Sequence, residues 1–315
     1  MYFPLLRGRL FELIALRELL EKQLIGKYII PIIEPVKPTS TLISTLSTYR
    51  ERNAKIAVIR NPREGELISR LNDSENNGIK EKFYSEIEMD EFISTYYIDN
   101  KAGVDQLYFQ RKKIDPNQCI AICLSKDYLA KYASIFGEDG ALYTLIPDER
   151  SLRRSINDRK IILSDNFKRQ ERNMDYLKNE DEPFTEDNVY YSEEGFSGFS
   201  DYSIIGDYYN ESGFAPLAVA IHIVYPDTDQ TLRIHHFVSD SNETINDPAN
   251  KFYEALGKFH EWNKEHNLST WASNELEKLY NDRQYPGLGT VKKLSIMHHL
   301  ELVSQYLEGV NRDHL

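Results

Sequence analysis

Apolar runs of strand length alternate with segments of helical periodicity over the first half of the chain. The run over residues 28–37 is the clearest, because its β-branched residues end in a glutamate, two prolines and a lysine. Similar runs cover residues 2–8 and 55–62, and the segments between them carry leucine and isoleucine at helical spacing. This β-α-β-α-β order favours parallel strands with helices packed outside them.

Further short apolar stretches continue this pattern and predict strands four to eight. They cover residues 95–99, 118–124, 141–146, 160–164 and, within an aromatic and glycine-rich segment, 202–205. The chain of 315 residues is long enough for one α/β barrel. The predicted fold class is therefore α/β, a (β/α)8 TIM-barrel-like domain over residues 1–315.

Three later regions depart from this alternation. Residues 175–194 contain eight acidic residues and a single cation, Lys178, and residues 195–200 are rich in glycine and aromatic residues. Residues 175–200 are therefore predicted to form a loop or lid. Residues 217–238 contain two strand-like runs around Pro-Asp-Thr-Asp-Gln, which predicts an antiparallel hairpin. Residues 249–308 show helical periodicity, and we expect these C-terminal helices to close or cover the barrel.

The overall charge is acidic but unevenly distributed. A net charge of -12 argues against a general affinity for nucleic acid. Residues 150–172 nevertheless hold eight cations and only three carboxylates. Because loops near strands seven and eight often bind phosphate in barrels, this stretch is a candidate site for an anionic small molecule or a polynucleotide. The alternative is that its cations pair with the acidic residues just downstream.

Cysteine use and hydropathy bear on the cellular compartment. Cys119 and Cys123 are too few for a disulfide framework, and they are more simply small buried hydrophobes than zinc ligands. No run of about 18 uncharged residues occurs, so neither a signal peptide nor a membrane span is predicted. The expected location is a reducing cytoplasm without membrane association, and the oligomeric state is left open.

Charged and polar residues lie at the ends of most predicted strands. The carboxyl ends of parallel barrel strands face one mouth, where active sites are built. Carboxylates held near cations there could act as general acid and base, bind a divalent metal ion, or position a phosphate or sugar. They could equally form a structural ion-pair network. The strand-end residues are Arg7, Glu34, Lys37, Arg60, Asn61, Asp99, Asp148, Asp165 and Asp201.

Eight residues receive a candidate role. His235 and His236 are neighbours on a predicted strand and point to opposite faces, so at most one can enter a given site, and His236 is kept. The candidate catalytic residues are Glu34, Asp165, Asp201 and His236. The candidate substrate-binding residues are Arg7, Lys37, Arg60 and Asp148. No residue is assigned as a metal ligand, although a divalent metal remains open as a cofactor.

Five segments, taken in chain order, form a set of motifs. They are residues 2–8 with the Tyr-Phe-Pro start, 12–18, 30–37 with a Pro-x-x-Glu pattern, 198–202 with Gly-Phe-Ser-Asp-Tyr, and 234–237. As a set they resemble an uncharacterised bacterial family related to the phage Beta-protein family. The resemblance implies a barrel-like α/β fold and a link to phage defence, sometimes with a smaller companion protein encoded nearby, but no established activity. It implies Glu34 and Asp201 as family-motif positions, followed by Arg7 and His236.

Two functional hypotheses follow. The first is a cytoplasmic enzyme of bacterial antiviral defence, a hydrolase that acts at the barrel mouth on an anionic, phosphate-bearing or nucleotide substrate. In it, Glu34 and Asp201 are acid/base groups or ion ligands. Arg7 and Arg60 hold negative charge, and the acidic segment gates entry. The second is a non-catalytic partner of a companion or phage protein, in which strand-end charges only brace the fold. Catalytic side chains should surround one solvent-reachable cavity, whereas bracing side chains should be buried by packing.

Overall fold

The computed structural model describes residues 1–89, 92–100, 103–157, 159–210 and 215–312. Contacts between Cα atoms divide the chain, predicted as one domain, into two compact units. The first unit consists of Met1–Leu13, Lys27–Ser164 and Tyr190–Tyr202, and the second of the other described residues. Each unit has a sheet of its own.

The larger sheet belongs to the first unit and the smaller one to the second. In chain order the strands of the described residues are β1 (Leu5–Leu6), β2 (Ile32–Ile33), β3 (Ile56–Ile59), β4 (Phe92–Tyr97), β5 (Ile120–Ile122), β6 (Tyr143–Ile146), β7 (Lys160–Ser164), β8 (Asp181–Thr185), β9 (Gly198–Asp201), β10 (Ala220–Pro226) and β11 (Leu232–Val238). The larger sheet has the order β1-β2-β3-β4-β5-β6-β7-β9, and all neighbours are parallel. The smaller sheet has the order β10-β11-β8 and is antiparallel.

The parallel sheet closes through the residues that precede β1. The backbone N–H of Phe3 donates to the carbonyl of Phe199 in β9 at 2.9 Å. The N–H of Phe199 in turn donates to the carbonyl of Met1 at 3.0 Å. Tyr2 forms a parallel bridge to Phe199 on one side and to Ile29 on the other. The predicted (β/α)8 barrel is therefore confirmed, with its first and last strands joined at the chain start.

The barrel strands are buried, as expected for a parallel sheet covered by helices. All four residues of β3 are at most 1% exposed, which explains why the strands appear in the sequence as continuous apolar runs. Cys119 and Cys123 flank β5, both are free thiols, and burial raises their pKa values to about 12 and about 11. They therefore behave as the small buried hydrophobes predicted for them.

Helices connect the barrel strands and make up much of the second unit. They are α1 (Leu10–Glu21), α2 (Ser40–Glu51), α3 (Leu67–Leu71), α4 (Asn77–Ile87), α5 (Gln106–Lys112), α6 (Leu129–Phe136), α7 (Arg150–Ser155), α8 (Asp187–Tyr190), α9 (Pro248–His266), α10 (Trp271–Asn281) and α11 (Leu288–Arg312). Helices α2, α5, α6 and α7 each lie between two consecutive barrel strands, and α3 and α4 both lie between β3 and β4. Among the described residues, no helix combines the length and hydropathy needed to cross a membrane.

The second unit combines the antiparallel sheet with the C-terminal helices. In the hairpin of β10 and β11, His222 is paired with His236 and Pro226 with Leu232. The connecting turn is closed by the Asp227 N–H, which donates to the Thr231 carbonyl at 2.8 Å. The hairpin predicted for residues 217–238 and the helices predicted after it are confirmed. Of these helices, α11 packs on β10, and α10 packs on both α9 and α11.

The eighth barrel strand lies four residues earlier than predicted. Residues 202–205 were expected as a strand because they are apolar, but Ser203–Ile205 forms a short 3-10 helix. The strand is β9 instead. A Cβ atom on Gly198 would clash with the carbonyl oxygen of Met1, so glycine permits the close approach at which the barrel closes. Spacing along the chain could not reveal that requirement.

The acidic segment is not the irregular loop that was predicted for residues 175–200. It contains the strand β8, the helix α8 and a 3-10 helix over Asn173–Asn179. In β8, Glu182 and Phe184 are buried while Pro183 is exposed, an alternation typical of a sheet with one buried face. Proline is tolerated there because β8 is an edge strand. A low aliphatic content concealed this strand in the sequence.

Candidate functional site

Glu34 follows β2 and is the centre of a polar network at the barrel mouth. Its backbone N–H donates to the carbonyl of Leu6 at 2.8 Å, which extends the pairing of β1 and β2. The carboxylate is fully buried, with 0% exposure. Its Oε2 atom forms an ion pair with Arg7 and accepts a hydrogen bond from the Tyr97 hydroxyl at 3.0 Å. Arg7 and Glu34, which sequence analysis placed at two strand ends, are therefore in direct contact.

The loop after β3 closes over the other oxygen of Glu34. The Oε1 atom accepts the backbone N–H groups of Arg63 at 2.6 Å and Glu64 at 3.2 Å. The next residue, Gly65, has a φ of +78°, and a Cβ atom there would clash with the backbone of Val36. Glycine thus lets the loop lie against the segment after β2. The four polar groups of the described residues that bind the carboxylate are all donors, so its buried negative charge is compensated.

Tyr97, the last residue of β4, is positioned by the side chain of Asn61. The Asn61 Nδ2 atom donates to the Tyr97 carbonyl at 2.9 Å, and its Oδ1 atom accepts from the Tyr97 N–H at 2.9 Å. This amide extends the pairing between β3 and β4 beyond the end of β3. Burial, followed by the negative charge of Glu34, raises the pKa of Tyr97 well above its ordinary value. The hydroxyl therefore stays protonated and acts as a donor.

Arg63 and Asp99 form the outer part of the network. The Nε atom of Arg63 lies 2.9 Å from Asp99 Oδ2, and its Nη2 atom lies 2.8 Å from the same oxygen. The guanidinium also lies 4.1 Å from the centre of the Tyr97 ring, within cation-π range. The Arg63 side chain is 31% exposed, against 6% for Arg7. Of these two arginines, Arg63 is thus the one that faces solvent.

The sequence pattern predicts no role for Arg63. The third predicted strand ends at residue 62, and Arg60 is its predicted strand-end cation. In the structure Arg60 is half-buried and donates to the carbonyl of Ile87, the last residue of α4, at 3.0 Å. The available signal for Arg63 was its position directly after the predicted strand.

Asp201 ends β9 and is almost fully buried, with 1% exposure. Its Oδ1 atom accepts a hydrogen bond from the Tyr2 hydroxyl at 2.6 Å. Burial raises the pKa of Tyr2 well above its ordinary value, and the charge of Asp201 adds to this shift. Neighbouring Ser200 donates to the carbonyl of Phe3 at 2.6 Å. A second carboxylate is thus held at the strand ends, on the side where the barrel closes.

The two remaining predicted residues of the first unit differ in exposure. Lys37 is half-buried in the segment after β2. Asp148 lies on the surface between β6 and α7, with its side chain 55% exposed, and forms an ion pair with Arg153 at 2.8 Å. Asp148 therefore contributes to a charged surface beside α7.

Asp165 and His236 belong to the second unit. Asp165 is exposed and directly follows β7. His236 is buried within the antiparallel sheet, whereas the neighbouring His235 contacts Asp181, with its Nδ1 atom 3.0 Å from Asp181 Oδ2. The two adjacent histidines thus have different surroundings, as their alternation on a strand predicted.

His236 is part of a hydrogen-bonded chain of side chains in the second unit. Its Nδ1 atom lies 2.8 Å from His222 Nδ1, and its Nε2 atom lies 3.5 Å from Glu182 Oε1. Glu182 also forms an ion pair with Lys168 at 2.9 Å. Burial lowers the pKa of His222 well below its ordinary value and also lowers that of His236, although Glu182 opposes the second shift. Both rings are therefore neutral near pH 7, and in their contact one Nδ1 atom donates its N–H to the unprotonated Nδ1 atom of the other ring.

A metal site is the remaining possibility raised by the strand-end carboxylates. Among the described residues, no group of three or more His, Cys, Asp or Glu side chains is arranged to hold a metal ion. The carboxylate of Glu34 instead receives its donors from Arg7, Tyr97 and two backbone amides.

The resemblance of this chain to an uncharacterised bacterial family related to the phage Beta-protein family stays a prediction. No family model, no curated protein and no solved structure matches this chain.

Proposed function

We propose that this chain is an enzyme that acts on an anionic, phosphate-bearing substrate at the carboxyl-terminal mouth of its barrel. The observation that carries the proposal is the cluster of two arginines, two carboxylates and a tyrosine at the ends of β1 to β4. Its members are Arg7, Glu34, Arg63, Tyr97 and Asp99. Active sites of parallel barrels are built at this end of the strands. Ion pairs that only stabilise the fold could lie anywhere on the barrel and need not cluster at the carboxyl ends of its strands.

The groups in the cluster suit hydrolysis of a substrate with negative charge. Arg63 is the accessible cation and would bind the anionic group, because a guanidinium offers paired donors to phosphate or carboxylate. Arg7 lies deeper and would stabilise negative charge that develops during the reaction. Glu34 would exchange a proton with the attacking water, and Tyr97 would donate a hydrogen bond. These roles require the loop at Arg63 and Glu64 to move away from the carboxylate.

A second candidate function is a non-catalytic partner of a companion or phage protein. It is favoured by the burial of Glu34, whose two oxygens are both occupied by donors. A carboxylate in this state braces the loop and the strands around it. In this candidate function the mouth network is needed for the fold, and recognition takes place on another surface.

An assay with a panel of phosphate-bearing compounds tests the enzymatic proposal. The purified chain would be incubated with nucleoside triphosphates, dinucleotides and sugar phosphates, and the products would be separated by anion-exchange chromatography. The test variant is Arg63→Met, and the matched control is Arg70→Met, which removes another surface arginine paired with a carboxylate. We expect turnover of at least one compound and a loss of about 10- to 100-fold in kcat/KM for Arg63→Met only. No turnover, or equal losses in both variants, would overturn the proposal.

The role in antiviral defence is a separate part of the proposal and is supported by the sequence resemblance alone. Bacteria that express the chain would be challenged with phages, and plating efficiency would be compared with that of cells expressing Glu34→Gln. We expect protection by the unmodified chain and its loss in the variant, with folding checked by circular dichroism. A folded Glu34→Gln variant that still protects would contradict a catalytic role for Glu34. Loss of protection through unfolding would instead support the bracing role.

A further inference from the structure

We propose that a basic cleft beside α7 binds a small polyvalent anion of the diphosphate or triphosphate class. The cleft has a volume of about 600 Å³, within the range of pockets that hold small molecules. Its lining residues are Asp148, Arg150, Arg153, Arg154, Lys160 and Glu194. None of them belongs to the network around Glu34, so this would be an additional site in the first unit.

The short helix α7 arranges most of these cations. Leu152 is fully buried and anchors the helix to the body of the unit. Arg150 and Arg154 are exposed, and Arg153 is half-buried. Because residues four apart lie on the same side of a helix, Arg150 and Arg154 are neighbours on the surface of α7. Lys160, at the start of β7, adds a fourth cation to the lining.

Two of the four cations are held in place by the wall of the cleft. Arg153 pairs with Asp148 at 2.8 Å, and its guanidinium lies 5.4 Å from the ring centre of Phe196. The Lys160 ammonium lies 6.0 Å from the same ring and donates to the carbonyl of Asn157 at 3.2 Å. Phe196 is buried, so its ring offers both cations a fixed surface.

The other two cations have no charged partner among the described residues. Within the part of the chain that the structure describes, the guanidinium groups of Arg150 and Arg154 have neither a hydrogen bond nor an ion pair. The nearest carboxylate in sequence, that of Glu149, accepts a hydrogen bond from Ser151. The acidic segment downstream neutralises Lys168 through Glu182, but neither of these arginines. Ion pairs between the cations of residues 150–172 and the acidic segment downstream, the alternative considered from the sequence, therefore do not account for the positive charge beside α7.

Like charges four residues apart destabilise a helix, and a bound anion would remove that repulsion. Arginine forks bind phosphate oxygens through paired hydrogen bonds, so two free guanidinium groups favour a ligand with more than one phosphate. Among the described residues, the lining holds four cations and two carboxylates, a local excess of two positive charges. With Asp148 and Glu194 present and a net charge of -12 on the whole chain, a long polyanion would be repelled beyond the cleft. A small polyvalent anion fits these charges better than a nucleic acid.

Isothermal titration of the full chain with inorganic triphosphate tests the proposal. The test variant is the double substitution Arg150→Gln/Arg154→Gln. The control is Arg111→Gln/Lys112→Gln, which removes two exposed cations from the end of α5. We expect the dissociation constant to rise at least about 10-fold in the test variant and by less than about twofold in the control. Because all four side chains are exposed, circular dichroism should show both variants folded.

Three outcomes of these titrations would overturn the proposal, and the Arg63→Met variant supplies a fourth. They are no binding by the unmodified chain, equal weakening in the test and control variants, and tighter binding of a single-stranded oligonucleotide than of triphosphate. The Arg63→Met variant separates this proposal from that of the active site. Triphosphate binding that survives Arg63→Met belongs to the cleft, even if enzymatic turnover is absent. Binding that is lost in Arg63→Met and kept in Arg150→Gln/Arg154→Gln would place the anion at the barrel mouth and contradict the cleft.

Discussion

The first unit contains two charged clusters that differ in burial and in pairing. At the barrel mouth, Glu34 is fully buried, and its hydrogen-bond and ion-pair partners among the described residues are all donors, including Arg7 and Tyr97. Beside α7, Arg150 and Arg154 are exposed and lack a charged partner among the described residues. The two clusters contain the same kinds of side chain but have different electrostatic surroundings.

The difference follows from solvation. A buried charge has lost its hydration and is tolerated only when nearby donors or opposite charges replace the water. An exposed guanidinium keeps its hydration, so it can remain unpaired at small cost. Unpaired exposed charges are therefore available to a ligand at once, whereas the mouth network must first rearrange. This contrast can be tested by breaking each cluster in turn.

The largest effect is expected for Arg7→Met. The substitution removes the ion pair but leaves the Glu34 carboxylate buried, and breaking a buried pair in this way typically destabilises a protein by about 3–5 kcal/mol. Urea denaturation followed by circular dichroism measures the free energy of unfolding. The control is the double variant Arg7→Met/Glu34→Met, which removes both charges and should recover much of the loss. A loss below about 1 kcal/mol for Arg7→Met would show that the pair is not the main support of the mouth.

A buried ionisable group among uncharged partners should stay neutral, and His298 of the second unit tests this. Its Nδ1 atom lies 2.7 Å from Thr270 Oγ1, and its Nε2 atom lies 2.7 Å from the Val224 carbonyl. Burial lowers the pKa of His298 to about 4, and that of neighbouring His299 to about 3. Because an unfolded histidine has a pKa near 6.5, the unfolded state binds more protons between pH 6.5 and 4. Stability is therefore full above about pH 6.5 and falls as the pH decreases.

For His298 this loss should be on the order of 3 kcal/mol at pH 4. Urea denaturation at several pH values would measure it, with His298→Gln as the variant. The slope of unfolding free energy against pH should be shallower in His298→Gln than in the unmodified chain. Parallel pH profiles would mean that His298 does not resist protonation.

A smaller effect is expected for Tyr97→Phe. The change removes one hydrogen bond to the Glu34 carboxylate and leaves its ion pair with Arg7, so a loss of about 2 kcal/mol is expected. Tyr84→Phe, at an exposed position of α4, is the control and should change stability by less than about 0.5 kcal/mol. Equal unfolding free energies for Tyr97→Phe and the unmodified chain would show that the hydroxyl contributes nothing to the network.

The smallest effect, of opposite sign, is expected for Arg150→Glu. A carboxylate at position 150, in the first turn of α7, would replace repulsion from Arg154 with attraction, so the chain should become more stable by about 0.3–1 kcal/mol. Thermal unfolding at low salt measures the gain, and 1 M NaCl should abolish most of it through screening. A gain that persists in high salt would point to a cause other than charge.

Several residues of the barrel mouth were predictable, because the end of a strand is marked by the change from apolar to polar residues in the local sequence. The apolar runs that end in Arg7 and Glu34 indicated two parallel strands, and adjacent parallel strands bring their carboxyl ends together. Arg63 was not predictable, since its place depends on a loop that lies on Val36 only because Gly65 has no side chain. The partner of Arg60 was not predictable either, because its side chain donates to the carbonyl of Ile87 at the end of α4.

The acidic segment shows the same limit in the second unit. Few aliphatic residues mark β8, and its place in the sheet is secured by partners that lie far away in sequence. Asp181 of β8 is bound by Tyr225, Arg233 and His235, which belong to the hairpin. No pattern within residues 175–200 could reveal these partners, so a strand was interpreted as a loop.

The sequence by itself determined the alternation of strands and helices, the hairpin, the C-terminal helices and the excess of cations over residues 150–172. These features are encoded by periodicity and composition among neighbouring residues, which act before the chain is folded. Only the tertiary structure decided which charges became buried pairs and which stayed exposed and unpaired. Glu34 and Tyr97 are 63 residues apart in sequence yet 3.0 Å apart in the fold, and such contacts depend on the path of the whole barrel.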